Sequence, residues 1–276
     1  MTQEQFAKLS DLLFRRSGLL LTQDKKTLAR SRLKPIAQRF GFRDVGALLA
    51  ELPYPSEELA RAITEAMTTN ETSFFRDPAA FGFLAHSALP ALVHARASAR
   101  RIRVWCAAVS TGQEAYSLAT ILNESGLAAQ GWTIDLIATD LSEAAIARAE
   151  EGLYADCEVE RGLSPQRLER YFVREAGQWR VAERLRHMVT FRVFNLLDNF
   201  GWLGEVDLIF CRNVLFYLEG HARAAVRTKL ADTLAADGYL FIGENEGIDG
   251  QFAPAGSRGV FTRHVALRAP RLAMFG

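Results

Sequence analysis

The chain has 276 residues, 49% hydrophobic and 24% charged, with a formal net charge of +1. This is ordinary globular composition, long enough for two domains, and it excludes a protein with an overall basic or acidic character. The three cysteines, Cys106, Cys157 and Cys211, form no CxxC, and no His/Cys cluster has metal-ligand spacing, so free thiols and no metal centre are expected. Residues 1–5 lack the basic-then-apolar layout of a signal peptide, and no apolar run approaches the roughly 20 residues that span a membrane. A cytoplasmic protein without membrane insertion is expected.

The first part reads as all helix. Phe6, Leu9, Leu12 and Leu13 repeat at helical spacing, and Gly18 is a stop signal. A second helix carries Leu28, Leu33 and Ile36; Pro35 inside it predicts a kink or break. A third covers about 44–52, and Ser56 caps a fourth running toward Met67. From residue 102 strands and helices alternate: strand 102–106, helix 114–123, strand 133–139 ending in Asp140, and a helix capped by Ser142 and closed by Gly152. Strand 206–211, helix 219–235 and strand 239–242 follow. This order predicts a parallel sheet with helices on both faces. Segments 171–173, 178–181 and 189–193 interrupt the alternation. They predict a small antiparallel insertion, with a tight turn at Ala176-Gly177.

The loop from Trp105 to Glu114 is built of small residues and opens a helix, so a ligand could approach its backbone and meet free N–H groups. Asp140, at the end of the next strand, is placed to accept from both hydroxyls of an adenosine ribose. Many doubly wound proteins share these features, and Gly112 could equally be only a turn and Asp140 only a helix-start residue.

More distinctive segments run the length of the chain. Thr68-Thr69-Asn70-Glu71-Thr72-Ser73-Phe74-Phe75-Arg76-Asp77 resembles a TTNET-FFRD junction, and 105–117 is similar to a W-SAGCSTGEEPYS loop. Ala138-Thr139-Asp140, Gly152-Leu153-Tyr154, Asn195-Leu196-Leu197 and the stretch from Phe210 to Tyr217 match ATD, G-Y, NLL and FCRNVLIYF. On these segments the chain resembles the CheR family, the chemotaxis receptor glutamate O-methyltransferases. The resemblance implies an α/β fold: a Rossmann-like S-adenosylmethionine methyltransferase domain with a small antiparallel β subdomain, preceded by an all-α N-terminal domain. On this chain the helical domain would be 1–69, a linker with cofactor contacts 70–80, and the methyltransferase domain 81–276, with the β insertion at about 171–194.

The same resemblance implies that S-adenosylmethionine is held by Asn70, Thr72, Arg76, Glu114, Asp140, Asn195, Leu196, Arg212 and Asn213. Arg76 would pair with the methionine carboxylate. Glu114 would bind the ammonium or sulfonium-side charge, although an acid in a first helical turn is also favoured by the helix dipole. The candidates to position an incoming glutamate carboxylate are Arg76, Arg212 and Tyr217; Tyr217 could instead be a core aromatic. No general base is needed, because a glutamate of pKa ~4.3 is already ionised at neutral pH.

Residues 15–43 hold nine basic residues against one acid, Asp24, a local +8. Such a stripe steers an acidic partner, and the resemblance makes that partner the cytoplasmic helical region of a chemoreceptor. A solvated helix face is the plainer alternative, and the run into cofactor motifs argues against nucleic acid. Ala108 and Val109 replace Gly-Cys in the cofactor loop, Gln113 the first acid of GEE, and Ala115 the proline. The short turn 174–178 is similar to members that dock without a C-terminal pentapeptide tether. A non-catalytic S-adenosylmethionine-binding signalling module, or a methyltransferase of another protein, remains open as an alternative.

Overall fold

The computed structural model describes residues 1–248 and 250–264. Helix α1 (Gln3–Ser17) starts at a capping box between Thr2 and Gln5 and stops at Gly18, which is left-handed at φ 70°. Helices α2 (Lys26–Arg39), α3 (Val45–Ala50) and α4 (Glu57–Met67) follow, the last two capped by Asp44 and Ser56. Their apolar faces meet in one core that includes Phe6, Leu9, Leu13, Leu33, Leu48, Leu49 and Ile63. Of the kink or break expected at Pro35, a break does not occur. Ala29, Leu33 and Ala37 lie on one face and are buried on both sides of the proline, so packing holds α2 continuous. Leu28 is not a core residue of this helix: it is 43% exposed.

After an irregular junction, α5 (Pro78–Phe83), a π-helical turn (Leu84–Ala88) and α6 (Leu89–Ala95) lead into the sheet. The irregular stretch between α4 and α5 is 68–77. The elements then run β1 (Arg101–Ala107), α7 (Gln113–Glu124), β2 (Thr133–Asp140), α8 (Glu143–Glu151), β3 (Leu153–Tyr154), α9 (Asp156–Val159) and α10 (Pro165–Tyr171). Next come β4 (Phe172–Glu175), β5 (Gln178–Val181), α11 (Glu183–Arg186), β6 (Val189–Val193), β7 (Val206–Cys211), α12 (Gly220–Thr233), β8 (Leu234–Phe241), β9 (Phe252–Pro254) and β10 (Val260–Arg263).

The seven-stranded sheet has the order β6-β2-β1-β7-β8-β10-β9. The first five are parallel, while β10 runs antiparallel to both β8 and β9. β7 is buried at every position, as a central parallel strand must be. One apolar layer on the sheet includes Phe81, Leu84, Leu118 and Phe210. The other includes Trp105, Ile209, Val226 and Leu230.

Three sequence expectations are corrected here. Segment 189–193 is not part of the antiparallel insertion: β6 pairs parallel with β2 and forms an edge of the main sheet. The small sheet is β3-β5-β4, with Leu153-Tyr154 as its third strand, and Tyr171 ends α10 rather than opening β4. The predicted turn does form: Ala176 and Gly177 both have positive φ, as a two-residue type I′ hairpin requires. Likewise α12 ends at Thr233, and Leu234-Ala235 already belong to β8, whose pairing with β7 is irregular before Tyr239.

Candidate functional site

In an open α/β sheet, ligands bind beyond the carboxyl ends of the strands where the chain order reverses. Here that point lies around β1, between β2 and β7. A cleft opens there. Asn70, Thr72, Arg76, Glu114, Asp140, Asn195, Leu196, Arg212, Asn213 and Tyr217 all line it, so every residue singled out from the sequence reaches one place.

The β1 loop is folded tightly under the cleft. Ala108 and Ser110 both adopt positive φ, 56° and 55°, which non-glycine residues do at a cost. The turn is held by Asp140, whose two carboxylate oxygens accept from the Ser110 amide at 2.8 Å and the Ser142 amide at 2.9 Å. Burial raises the Asp140 carboxyl above the ordinary aspartate range, against the opposing pull of these backbone donors. The Ser110 hydroxyl donates to the Asn70 carbonyl at 3.1 Å and so ties the junction to the loop.

The junction itself is anchored by its phenylalanines. Phe74 is 1% exposed and packs edge-on against Tyr154 and Phe172. Its carbonyl lies where a Cβ on Gly162 would be. The Phe75 amide donates to Ser117 Oγ at 2.9 Å. Arg76 is thereby fixed at the cleft, half-buried. Its recorded partner is the Glu71 carbonyl, at 3.1 Å, and no acid pairs with it among the described residues.

Arg212 is different. Its side chain is 1% exposed, and its guanidinium forks to Glu114, at 2.6 Å, and to Asp77. Its Nε is buried with no partner. The sequence reading placed Arg212 beside Arg76 as a candidate to meet an incoming carboxylate. Two acids already occupy its fork, so its charge is spent inside the protein and its geometry is that of a brace for Glu114.

The loop after β7 carries the remaining groups. Asn213 is left-handed at φ 58°, and Leu215–Tyr217 form a 3-10 turn. Tyr217 is a half-exposed wall of the cleft rather than a core aromatic, with Lys25 Nζ 5.5 Å from its ring centroid. The helical domain docks on this loop. Leu20 N donates to Tyr217 O and Glu219 N to Gly18 O, each at 2.9 Å, and Leu19 bridges antiparallel to Leu218. The Asn195 amide donates to the Arg16 carbonyl at 2.6 Å, and its oxygen accepts from Leu197 N. Leu20, Leu21, Lys25, Leu28 and Arg32 thus roof the cleft.

Sequence reasoning missed three contributors: Asp77, the helical roof, and Glu246. Glu246 is 9% exposed and accepts from four backbone amides, those of Asn213, Leu215, Phe216 and Gly243. Its one sequence signal is a turn closed on itself, Gly243-x-x-Glu246, directly after a strand. The basic stripe is also narrower than its composition. Arg15, Arg16, Arg39 and Arg43 pair with Asp11, Glu57, Glu58 and Asp44. Lys25, Lys26, Arg30, Arg32 and Lys34 form no ion pair among the described residues.

The donor set fits S-adenosylmethionine chemically. A strand-end carboxylate suits a ribose diol, an acid-free guanidinium suits a carboxylate, and a braced glutamate suits a cationic group. No group of His, Cys, Asp and Glu among the described residues could hold a metal ion. No helix among them is long and apolar enough to cross a membrane.

Comparison with known proteins agrees. Residues 4–68 match the family described as CheR methyltransferase, all-alpha domain, and residues 70–258 match CheR methyltransferase, SAM binding domain. A chemotaxis protein methyltransferase of Pseudomonas aeruginosa is 37% identical over 236 residues, covering 84% of this chain and 86% of that protein. One of Pseudomonas putida is 36% identical over 250 residues, with coverages of 89% and 90%. One of Vibrio parahaemolyticus is 35% identical over 255 residues, covering 91% of each. With both halves of the family matched in order, the chain belongs to the CheR family of S-adenosylmethionine-dependent methyltransferases.

Proposed function

We propose that this methyltransferase esterifies glutamate side chains in the cytoplasmic helical region of a chemoreceptor, in chemotaxis adaptation or a related pathway, and that it works in the cytoplasm. The observation that carries this reading is the make-up of the cleft. Among the described residues its lining contains no histidine, yet Lys25, Arg32 and Arg76 face it alongside the Tyr217 hydroxyl-bearing ring. The carboxylates of the same lining are engaged, Glu114 by Arg212, Asp140 by two backbone amides and Glu71 by Arg161, so it is poor at removing a proton and its basic groups suit an anion. A glutamate carboxylate needs only the second, since its pKa of ~4.3 leaves it ionised at neutral pH.

S-adenosylmethionine, when bound, supplies a methyl group on a positively charged sulfur. The chain's residues have the task of alignment, which is worth roughly 7–11 kcal/mol of a barrier when the reacting groups are well oriented. In this reading Asp140 accepts from the ribose hydroxyls, and Arg76 pairs with the cofactor carboxylate. Glu114, braced by Arg212, faces the cofactor's cationic end. Asn70, Thr72, Asn195, Leu196 and Asn213 complete the pocket. Tyr217, with the Arg76 N–H groups that the cofactor carboxylate leaves free, orients the acceptor carboxylate, and the Leu20–Leu21 segment limits water. The unpaired basic residues of α2 draw in an acidic receptor helix. The two-residue hairpin at Ala176-Gly177 offers little surface for a pentapeptide, which supports docking without that tether.

The test is transfer of radiolabelled methyl from S-adenosylmethionine to chemoreceptor cytoplasmic fragments, with release of methanol in mild base. Base-labile label that is lost in Asp140→Ala supports the reading. Base-stable label would overturn the ester assignment. Cofactor binding without any transfer would leave a non-catalytic module.

A further inference from the structure

The Arg212–Tyr217 loop carries three of the candidate site residues, Arg212, Asn213 and Tyr217, yet it has little regular structure to hold it. Asn213 stands at φ 58°, Val214 is irregular, and only a single 3-10 turn follows. What fixes this loop is a side chain from elsewhere. Glu246 lies just beyond β8, in a turn closed by its own amide donating to the Gly243 carbonyl at 2.9 Å. One carboxylate oxygen accepts from Asn213 N and Gly243 N, both at 2.7 Å. The other accepts from Leu215 N at 2.7 Å and Phe216 N at 3.3 Å.

We propose that Glu246 is a positioning residue for methyl transfer, setting Asn213 against the cofactor and Tyr217 against the acceptor through the backbone of their loop. The physical case is one of matching. A left-handed residue followed by a tight turn points successive N–H groups into one concavity, which attracts an anion. A buried carboxylate with four N–H donors is well compensated without a basic partner, and hydrogen bonds to a charged acceptor are the strong ones. The same arrangement extends outward. Tyr217 O, at the end of the turn that Glu246 fixes, accepts from Leu20 N of the helical roof. Glu246 therefore sets the wall on which the roof closes. Gly243 marks how closely the parts fit, since a Cβ there would come within 2.5 Å of Asn213 Nδ2 and 2.9 Å of a Glu246 oxygen.

Glutamine cannot replace this carboxylate quietly, because one of its two ends is an NH2 that would face two N–H donors. Aspartate keeps both acceptors but falls short by one methylene. The turnover readout rests on the proposed receptor acceptor; the binding readout does not. In Glu246→Gln with an unchanged circular dichroism spectrum, kcat at saturating cofactor and receptor fragment falls roughly 10- to 100-fold, as misplacement of about an ångström produces. Its S-adenosylhomocysteine Kd, by calorimetry, rises several-fold, and Glu246→Asp recovers part of both. A folded Glu246→Gln with the parent's kcat and Kd overturns the proposal. If that variant does not fold, Glu246→Asp decides. It keeps both acceptor oxygens but draws them back by one methylene, so a fall in kcat with a rise in Kd supports the proposal and parent values overturn it. If the parent transfers nothing to receptor fragments, the acceptor assignment has failed, and the Kd of the variants alone decides the role of Glu246.

Discussion

Arg212 and Glu114, far apart in the chain, meet at 2.6 Å where the end of β7 faces the start of α7, and the arginine side chain is 1% exposed. Asp77, at the head of α5, takes the other prong. One cation thereby joins the junction, the first βα unit and the loop after β7. Removing it strands two acids in partly buried positions. Arg212→Ala should lower stability by about 3 kcal/mol, the low end for breaking a buried pair, since Asp77 keeps some contact with water. Adding Glu114→Ala should return part of that loss. Urea denaturation of the two variants checks both signs; equal stability for parent and Arg212→Ala would reduce the trio to an incidental contact.

Ala108 occupies a position where the family motif carries glycine, and the structure shows the consequence as a φ of 56°. Left-handed backbone costs an L-residue roughly 1–2 kcal/mol. Glycine would avoid that strain but lose about 0.5–1 kcal/mol in backbone entropy. Ala108→Gly is therefore expected to stabilise the protein by about 0.5 kcal/mol and to tighten S-adenosylhomocysteine binding, because a methyl group leaves the floor of the cleft. Thermal melts and calorimetry measure the two effects separately. A variant that melts lower and binds more weakly would show that the alanine methyl is a packing element of the loop.

Which parts of this were legible in the sequence follows from distance along the chain. The strand ending in Asp140, the capped helices and the Ala176-Gly177 hairpin are written in neighbouring residues, where periodicity and turn chemistry act directly. β6 could not be placed that way. Its five residues have the same pattern whether they pair parallel with β2 or join a local antiparallel sheet, and only the three-dimensional packing decides. Glu246 carries no such local signal of its role, because three of its four amide donors lie in the loop after β7, with α12 and β8 between. Leu28 fitted the helical repeat of a core face, but that face is set by Ala29, Leu33 and Ala37, which leaves Leu28 on the cleft.

The buried Asp140 carboxyl is raised above the ordinary aspartate range, chiefly by loss of water, with Glu65 adding to it. The binding consequence has a definite sign. If the ionised form accepts from the ribose hydroxyls, cofactor affinity is full above the folded-state pKa and falls as pH drops through it. That decline starts at higher pH than it would for an aspartate of pKa ~3.9. Stability runs the other way: the raised group favours the folded state below its unfolded pKa, and this contribution is lost as pH rises through the folded one. Calorimetric Kd values for S-adenosylhomocysteine across the acidic range should show the loss of affinity while the protein remains folded. Asp140→Asn should bind weakly throughout, with a flatter profile.

Among the described residues, Gly162 meets the junction more closely than any other glycine meets backbone. A Cβ built on it would fall 1.9 Å from the Phe74 carbonyl oxygen, and its φ of 110° is one that L-residues rarely adopt. Neither obstacle can be relieved by turning a side chain, because the clash is with backbone whose phenylalanine is locked between Tyr154 and Phe172. Gly162→Ala must therefore either distort its own loop or push Phe74 outward. Overpacking of this kind costs about 1–3 kcal/mol. The second route also carries Arg76, two residues on, away from the cleft. The expected result is a lower melting temperature together with weaker S-adenosylhomocysteine binding in the folded fraction. Destabilisation with unchanged Kd would mean that the loop around Gly162 gives way first, and that the junction is held without it.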